Sequence, residues 1–589
     1  MINENINFND SFNAKATSKV NLVSSFISNA YYELLSSPNN SIMIGPRGSG
    51  KTTLLRMLDA EALDIWDKPH ANAYREKISF SGVFVPTDRF WKTQYERFSK
   101  KYSQSNIFIK YLESTFLYHT LECLLQVVCY RTNRNICKKN NFRHISLSKF
   151  DEAELVQNLS HFWEVDSKIP SLRGLLIATS LKKQKISTFL SKGDDSEVAD
   201  FKIIDGHLLS ILEHSILVIN EYLGEGDGKW AFLFDELELA PEELIQPLIT
   251  AMRGGPQNII FKLALSPYHQ GVNITKDAFS GMNAEDLSII NLSGVRKDGF
   301  NFAKKLSENI FRKNNLNNDI ESYFESSNKV NREKDLNSLM NKDESFKSYI
   351  LRNELLFDNY EDLDSSKRDV YRRIQFNVHL RNYYMKNQDT KASRKAPPSY
   401  YIGFNNICSM LEYNPRMLVG IMNAFAAIAK ENGKIKSNEQ LESIKKYSLS
   451  FKSLLSTIAI DSTGNMFPTL FDIIDKIAKY FQYEIYSHDF NPDPVGSIKL
   501  NSKDYLNYIK AIGLALNSGA LIIEKEKLDS FHEIDNIKNS RFRLSYLFAA
   551  DYKLLLNNQR PIDLIKILNN THIDVIDPSG KLVSQKELF

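Results

Sequence analysis

The residues best suited to chemistry are Gly45-Pro46-Arg47-Gly48-Ser49-Gly50-Lys51-Thr52, followed by Thr53. Gly-x4-Gly-Lys-Thr is the spacing of a loop that holds a polyphosphate. Its glycines let the backbone wrap where a side chain would not fit. Successive amide N–H groups then point inward at the phosphates, and the following helix adds its positive dipole end. Lys51 would reach the β- and γ-phosphates of a nucleotide such as ATP, and the Thr52 hydroxyl would bind Mg²⁺. Such a loop must be entered from a strand and left through a helix. Ile42-Met43-Ile44 and Thr53-Leu54-Leu55-Arg56-Met57-Leu58 provide both.

A second element has to hold the metal and activate water. Ala231-Phe232-Leu233-Phe234 is an apolar run closed by Asp235-Glu236. Asp235 would hold Mg²⁺ through water, and Glu236 would orient and activate the attacking water. Ser266 is the first polar residue past a further buried strand, Asn258–Leu265. It serves either to report the γ-phosphate through a hydrogen bond or as a turn residue before Pro267. Asn414-Pro415-Arg416 opens an apolar helix, Met417–Ala429, with Pro in the first turn, where its missing N–H costs nothing. Arg416 is therefore held near a helix start, facing a phosphate or simply solvent.

Positioning these groups calls for an α/β fold with a parallel sheet. Val20–Leu35 has a helical face, Pro38-Asn39-Asn40 a turn, and Ile78–Val85 and Leu287–Leu292 read as further strands. Pro241–Arg253 reads as a helix ended by Gly254-Gly255. The chain between Lys51 and Asp235 exceeds what one or two βα units need, so roughly a hundred residues are inserted. The insertion, about residues 90–205, reads as mainly helical, with Phe116–Val128, Glu152–Trp163 and Leu208–Leu223 patterned as helices in and after it. Within it Arg131, Arg134, Lys138, Lys139, Arg143 and Lys149 form an acid-free run. That run is either a solvated loop or a contact to nucleic acid or an acidic partner.

Residues 312–345 are rich in Asn, Lys, Glu and Ser, and read as an exposed linker or a mobile helical piece. The last 130 or so residues read as a separate small domain. Leu470, Ile473, Ile474, Ile477 and Phe481 stripe one helix; Tyr505, Ile509, Ile512 and Leu516 stripe a second, ended by Gly519. Strands Ala520–Glu524 and Arg541–Phe548 follow, in a winged-helix order. Arg541 and Arg543, with Lys525 and Lys527, would suit a phosphate backbone, although such domains serve protein docking as often.

Composition narrows the class. Over 589 residues, 74 basic against 71 acidic side chains leave a formal charge of +3, so any basic site is local. The four cysteines, Cys123, Cys129, Cys137 and Cys408, have neither disulfide nor metal spacing and read as free thiols. The polar N-terminus is unlike a signal peptide, and no apolar run is long enough to span a membrane. A soluble cytoplasmic protein is expected. No nuclease, protease or deaminase constellation is evident.

Taken together, Gly45–Thr53, Phe234-Asp235-Glu236-Leu237-Glu238-Leu239-Ala240-Pro241-Glu242, Leu265-Ser266-Pro267-Tyr268 and Asn414-Pro415-Arg416 resemble the bacterial ORC/Cdc6-like AAA+ ATPases. The resemblance implies Walker A, Walker B, sensor 1 and sensor 2 roles for these segments. It implies an AAA+ core over residues 1–300, a helical lid over 301–435 containing the mobile linker, and a winged-helix-like domain over 450–589. It also implies ATP and Mg²⁺ as cofactors, a homo-oligomer with ATP between subunits, and a separate effector protein of the kind found beside such ATPases in antiphage defence operons. One departure stands out: residues 267–286, where an arginine finger is usual, contain only Lys276 as a strong base. Arg253 or Arg296 would have to substitute, or the finger comes from elsewhere. A module that binds ATP only as a structural clamp is therefore the competing reading. An ABC-type ATPase is not favoured, because Asn291-Leu292-Ser293-Gly294 follows the acid strand instead of preceding it. A small-molecule kinase is weaker still.

Overall fold

Five apolar runs form a wholly parallel sheet in the computed structural model: β1 (Asn40–Ile44), β2 (Phe80–Pro86), β3 (Lys229–Asp235), β4 (Ile259–Leu265) and β5 (Leu287–Asn291), in the order β2-β3-β4-β1-β5. The structure describes residues 17–88, 90–101, 106–133, 139–192, 207–252, 256–269, 287–292, 299–326, 332–358, 360–385, 398–460, 467–500, 508–524, 540–570, 575–576 and 582–583. Two compact units divide the chain: residues 13–45 with 50–292, and residues 46–49 with 293–589. Among the described residues no helix is long and apolar enough to cross a membrane.

In the first unit the sheet is covered on both faces, so β3 and β4 read as continuous apolar runs and not as alternating ones. The expected Val20–Leu35 helix is two, Lys19–Ser25 and Ala30–Leu35, the second capped by the Asn29 side chain on Tyr32 N–H. The loop strand leads into α1 (Lys51–Arg56). The insertion holds α2 (Asn106–Thr132), α3 (Lys149–Phe162) and α4 (Leu172–Lys192), and is followed by α5 (Leu208–Leu223). Helix α4 was not expected from the sequence; it packs along α2. After the acid pair comes α6 (Glu242–Ala251).

Three of the six residues of the insertion's basic run, Arg131, Lys139 and Arg143, make contacts within the fold. Arg131 is fully buried, with Nη2 2.6 Å from Glu225 and its guanidinium over the Trp230 ring. Lys139 pairs with Asp67, and Arg143 reaches the Ile78 carbonyl. Buried Asp64 accepts the N–H groups of Lys139, Asn140 and Phe142 and the Tyr130 hydroxyl, which fastens this loop to the core. Arg134 and Lys138 lie outside the described residues.

Lys262, in the middle of β4, is also fully buried. Its ammonium donates to the Ser37 and Asn39 carbonyls at 3.0 and 3.1 Å and lies over the Phe80 ring. It thereby satisfies the chain end that enters β1. Burial pushes its pKa down to about 7.

In the second unit, α7 (Gly299–Lys313), α8 (Arg332–Met340), α9 (Glu344–Arg352) and α10 (Ser365–Tyr384) precede α11 (Pro415–Asn432) and α12 (Ser437–Ser456). Residues 312–345, read as an exposed linker or a mobile helical piece, include helix Arg332–Met340 and the start of Glu344–Arg352 among the described residues, and they are not simply exposed. Leu336 and Leu339, few as they are, sit one turn apart on α8 and join Phe346, Ile350, Tyr371, Ile374 and Val378 in a buried cluster. Phe490 completes that cluster, so residues expected in separate lid and C-terminal domains share a core.

The C-terminal part runs α13 (Leu470–Tyr486), β6 (Val495–Lys499), α14 (Ile509–Ser518), β7 (Leu521–Glu524), β8 (Arg541–Leu544) and β9 (Arg560–Asp563), with sheet order β7-β8-β6-β9. Strand β8 stops at Leu544, because Ser545 caps a 3-10 turn over Tyr546–Phe548. Arg541 and Arg543 do alternate with Phe542 and Leu544, but their face is covered too. Arg543 makes a two-pronged pair with Glu412, both contacts 2.7 Å, and Arg541 Nε lies 2.6 Å from Glu524. These arginines are committed to carboxylates within the fold instead of to a phosphate backbone; Lys525 and Lys527 lie outside the described residues.

Two predictions follow from these buried charges. Removing one partner strands the other in a low dielectric, so Arg543→Ala costs about 3–5 kcal/mol, read by urea denaturation, and Glu412→Gln added to it recovers part of the loss. For Lys262 the unfolded chain binds the proton that the folded chain releases, between pH of about 7 and the ordinary lysine value. Wild-type stability relative to Lys262→Met therefore rises by roughly 1.4 kcal/mol per pH unit across that window. Parallel urea curves at pH 7 and 9 that show no such divergence would contradict the assignment.

Candidate nucleotide site

The C-terminal ends of β1, β3 and β4 lie side by side, which is where parallel α/β sheets bind ligands. Gly50, with φ of 98°, turns the chain from the loop into α1, a conformation that favours glycine. Lys51 is 7% exposed and its ammonium donates to the Gly45 carbonyl at the base of the loop. Burial lowers its pKa, opposed by the charges of Glu238, Asp235 and Glu236. A lysine in water has no need of three carboxylates; here they offset its desolvation. Thr52 and Thr53 follow in the first turn of α1, both partly exposed.

Asp235 closes β3 and is 2% exposed. Burial pushes its pKa up to about 6, against a hydrogen bond from the Thr52 hydroxyl. Thr87 holds the Asp235 carbonyl through both its N–H and its hydroxyl, which fixes the end of the strand. Asp235 Oδ1 has no protein hydrogen-bond partner although it is buried. A carboxylate oxygen in that state beside a threonine hydroxyl is a hard-oxygen donor pair, and Mg²⁺ fits it. Thr52 and Asp235 are the residues that would hold the cation.

Glu236 is partly exposed, and its backbone is left-handed, with φ 54° and ψ 35°. A non-glycine residue pays roughly 1–3 kcal/mol there. Glu238 was not singled out from the sequence. It follows in the 3-10 turn Leu237–Leu239, acts on Lys51, and keeps Oε2 buried without a hydrogen-bond partner. Its one signal was a third acid two residues past the pair. Ser266 is 8% exposed just past β4. Because β4 runs between β1 and β3, Ser266 stands between the loop strand and the acid pair.

The loop tip, Pro46–Ser49, belongs to the second unit. There Asn414 caps α11 and also reaches the Arg47 carbonyl, while Arg416 N–H approaches the Gly48 carbonyl at 3.4 Å. Arg47 N–H donates to the Asn517 carbonyl at 2.8 Å. Gly48 has φ of 83°, and a Cβ there would lie 2.8 Å from Arg416 Cβ, so close approach as well as backbone conformation requires glycine. Arg416 is partly buried, which lowers its pKa, and the neighbouring Arg47 charge lowers it further. Among the described residues no ion pair holds either guanidinium, and two like charges that act on each other suit an anion near them.

A family model for ORC-CDC6-like proteins matches residues 7–564. The chain belongs to the ORC-CDC6-like family. The parallel five-stranded sheet with its helices fits a P-loop AAA+ nucleotide-binding core, and AAA+ proteins generally use ATP with Mg²⁺. No curated protein and no solved structure matches the chain. In this ORC-CDC6-like protein the substitutes weighed for the arginine finger, Arg253 and Arg296, and also Lys276, lie outside the described residues.

The raised Asp235 pKa sets a stability signature. A carboxyl whose folded pKa exceeds its unfolded value stabilises below the unfolded value and loses that contribution as pH rises through the folded one. Nucleotide-free wild-type protein therefore loses roughly 3 kcal/mol relative to Asp235→Asn between pH of about 4 and 6. Thermal melts of the two proteins across that range check it, the difference between them shifting in favour of Asp235→Asn as pH rises to 6.

Proposed function

We propose that this protein is an Mg-ATP-dependent AAA+ switch. Its nucleotide state would set assembly into a homo-oligomer or engagement of an effector protein or nucleic acid. The observation that carries the reading is the buried Lys51 ammonium set against Asp235, Glu236 and Glu238, with Asp235 Oδ1 left unpartnered beside Thr52. In this reading Lys51 binds the β- and γ-phosphates, while Thr52 and Asp235 hold Mg²⁺. When bound, the cation neutralises charge developing on the transferred phosphoryl group. Glu236 accepts a proton from the attacking water, Ser266 senses the γ-phosphate, and Arg416 with Arg47 meets phosphate charge from the loop tip.

The order α13, β6, α14, β7, β8 supports a winged-helix-like C-terminal domain. Since Arg541 and Arg543 are spent on internal ion pairs, that domain favours protein docking over DNA. A role in antiviral defence beside a separate effector rests on the family resemblance alone. The competing clamp reading, ATP held without turnover, is favoured by the absence of arginine from residues 267–286.

Removing a charged phosphate contact costs about 1.5–3 kcal/mol, so Lys51→Ala weakens ATP binding roughly ten- to a hundredfold or more. Glu236→Gln keeps binding and loses turnover. Calorimetric binding and phosphate release, measured on both variants, decide between the readings. Equal turnover by Glu236→Gln and wild type would overturn the role given to Glu236, and tight binding with no wild-type turnover would establish the clamp.

A further inference from the structure

Three side chains far apart in sequence converge in the second unit. His379 on α10 places Nδ1 2.7 Å from Oδ2 of Asp335 on α8. Ser399, in the 3-10 turn Ser399–Tyr401, places Oγ 3.2 Å from His379 Nε2. A carboxylate at Nδ1 fixes the tautomer: Nδ1 carries the proton, and Nε2 keeps the lone pair that accepts the serine hydroxyl. The other carboxylate oxygen is held as well, since Asn382 Nδ2 donates to Asp335 Oδ1 at 2.9 Å. Asn382 is in turn fixed by the Ser338 hydroxyl and the Lys342 ammonium, each 2.8 Å from its Oδ1.

The helices dictate this convergence. Asp335 and Ser338 lie one turn apart on α8, His379 and Asn382 one turn apart on α10, and the two helices pack together. Phe376, a turn before His379, stacks on Tyr400 with ring centroids 4.7 Å apart, which seats the turn carrying Ser399 beside the imidazole. The side chains of His379 and Asp335 are 15% and 17% exposed, and Ser399 is partly exposed, so the group is shielded yet reachable.

We propose that Ser399, His379 and Asp335 form a second reaction centre that hydrolyses activated carboxylic esters by acyl transfer. Ser399 Oγ bonds to the acyl carbon as its proton passes to His379 Nε2. The ester C–O bond then breaks, and the imidazolium returns the proton to the departing alkoxide. Water adds next by the same base, the acyl–Oγ bond breaks, and carboxylic acid leaves with Ser399 restored. The imidazolium of each half-reaction rests against the Asp335 carboxylate. Ser399 and His379 are the catalytic residues; Asp335 and Asn382 are positioning residues. None of these residues takes part in the nucleotide reading.

The test uses the full chain and an alkyl fluorophosphonate, whose phosphorus bonds to an activated serine oxygen with loss of fluoride. The labelled peptide is mapped by mass spectrometry. The expected result is a label on Ser399, absent in Ser399→Ala. Asp335→Asn permits the wrong tautomer and slows labelling by roughly 10³–10⁴-fold, while Asp335→Glu regains part of the rate. A merely structural hydrogen bond would not move in that way. Asp335→Asn keeps the size of the side chain, and its circular dichroism and ATP binding verify the fold. Wild-type protein left unlabelled at Ser399, or labelled no faster than folded Asp335→Asn, overturns the proposal.

Discussion

A buried ammonium held among three carboxylates is the constraint on which the first unit turns. Lys51 cannot sit at the base of the loop without Asp235, Glu236 and Glu238, and those acids cannot sit together without a cation. Both demands meet at the ends of parallel strands. There Thr87 ties down the carbonyl of Asp235. The strain at Glu236 and the orphaned oxygen of Asp235 belong to the same arrangement. In the proposed reading, stability is given up where a ligand would meet the charge.

Much of this was legible in the sequence because it is written in short-range signals. The loop is a fixed spacing of glycines, lysine and threonine, and the sheet strands are apolar runs bounded by Gly, Pro and acids. What depends on distant partners was not legible. Alternation along residues 541–544 marks two faces of a strand, but nothing local says that Glu412 and Glu524 cover the arginine face. A polar composition over 312–345 hid Leu336 and Leu339, because two leucines a turn apart suffice when a preformed cluster receives them. Lys262 broke the apolar run of β4 without a cue to the carbonyls it serves.

The same reason explains the site that no motif marked. Asp335, His379 and Ser399 are scattered over α8, α10 and a turn, and only the packing of two helices brings them into one hydrogen-bonded chain. The two centres differ in how their charges are kept. At the loop, a buried lysine and a buried aspartate sit with two partly exposed glutamates in a cluster that a polyphosphate and a cation would rebalance. In the second unit, one carboxylate is hydrogen-bonded at both oxygens and orients an imidazole ring.

The account turns most directly on the proton that Asp235 carries. Calorimetric titration of Mg-ATP at pH 6, in buffers of different ionisation enthalpy, counts protons released on binding. Asp235 is pushed up to about 6 without ligand, and a cation held there would drive it to full ionisation, so wild type releases about half a proton more than Asp235→Asn. That excess should vanish at pH 8. Equal proton release by the two proteins at pH 6, with Mg-ATP bound to both, would contradict the ionisation of Asp235 on binding, the change on which this reading of the cation site rests.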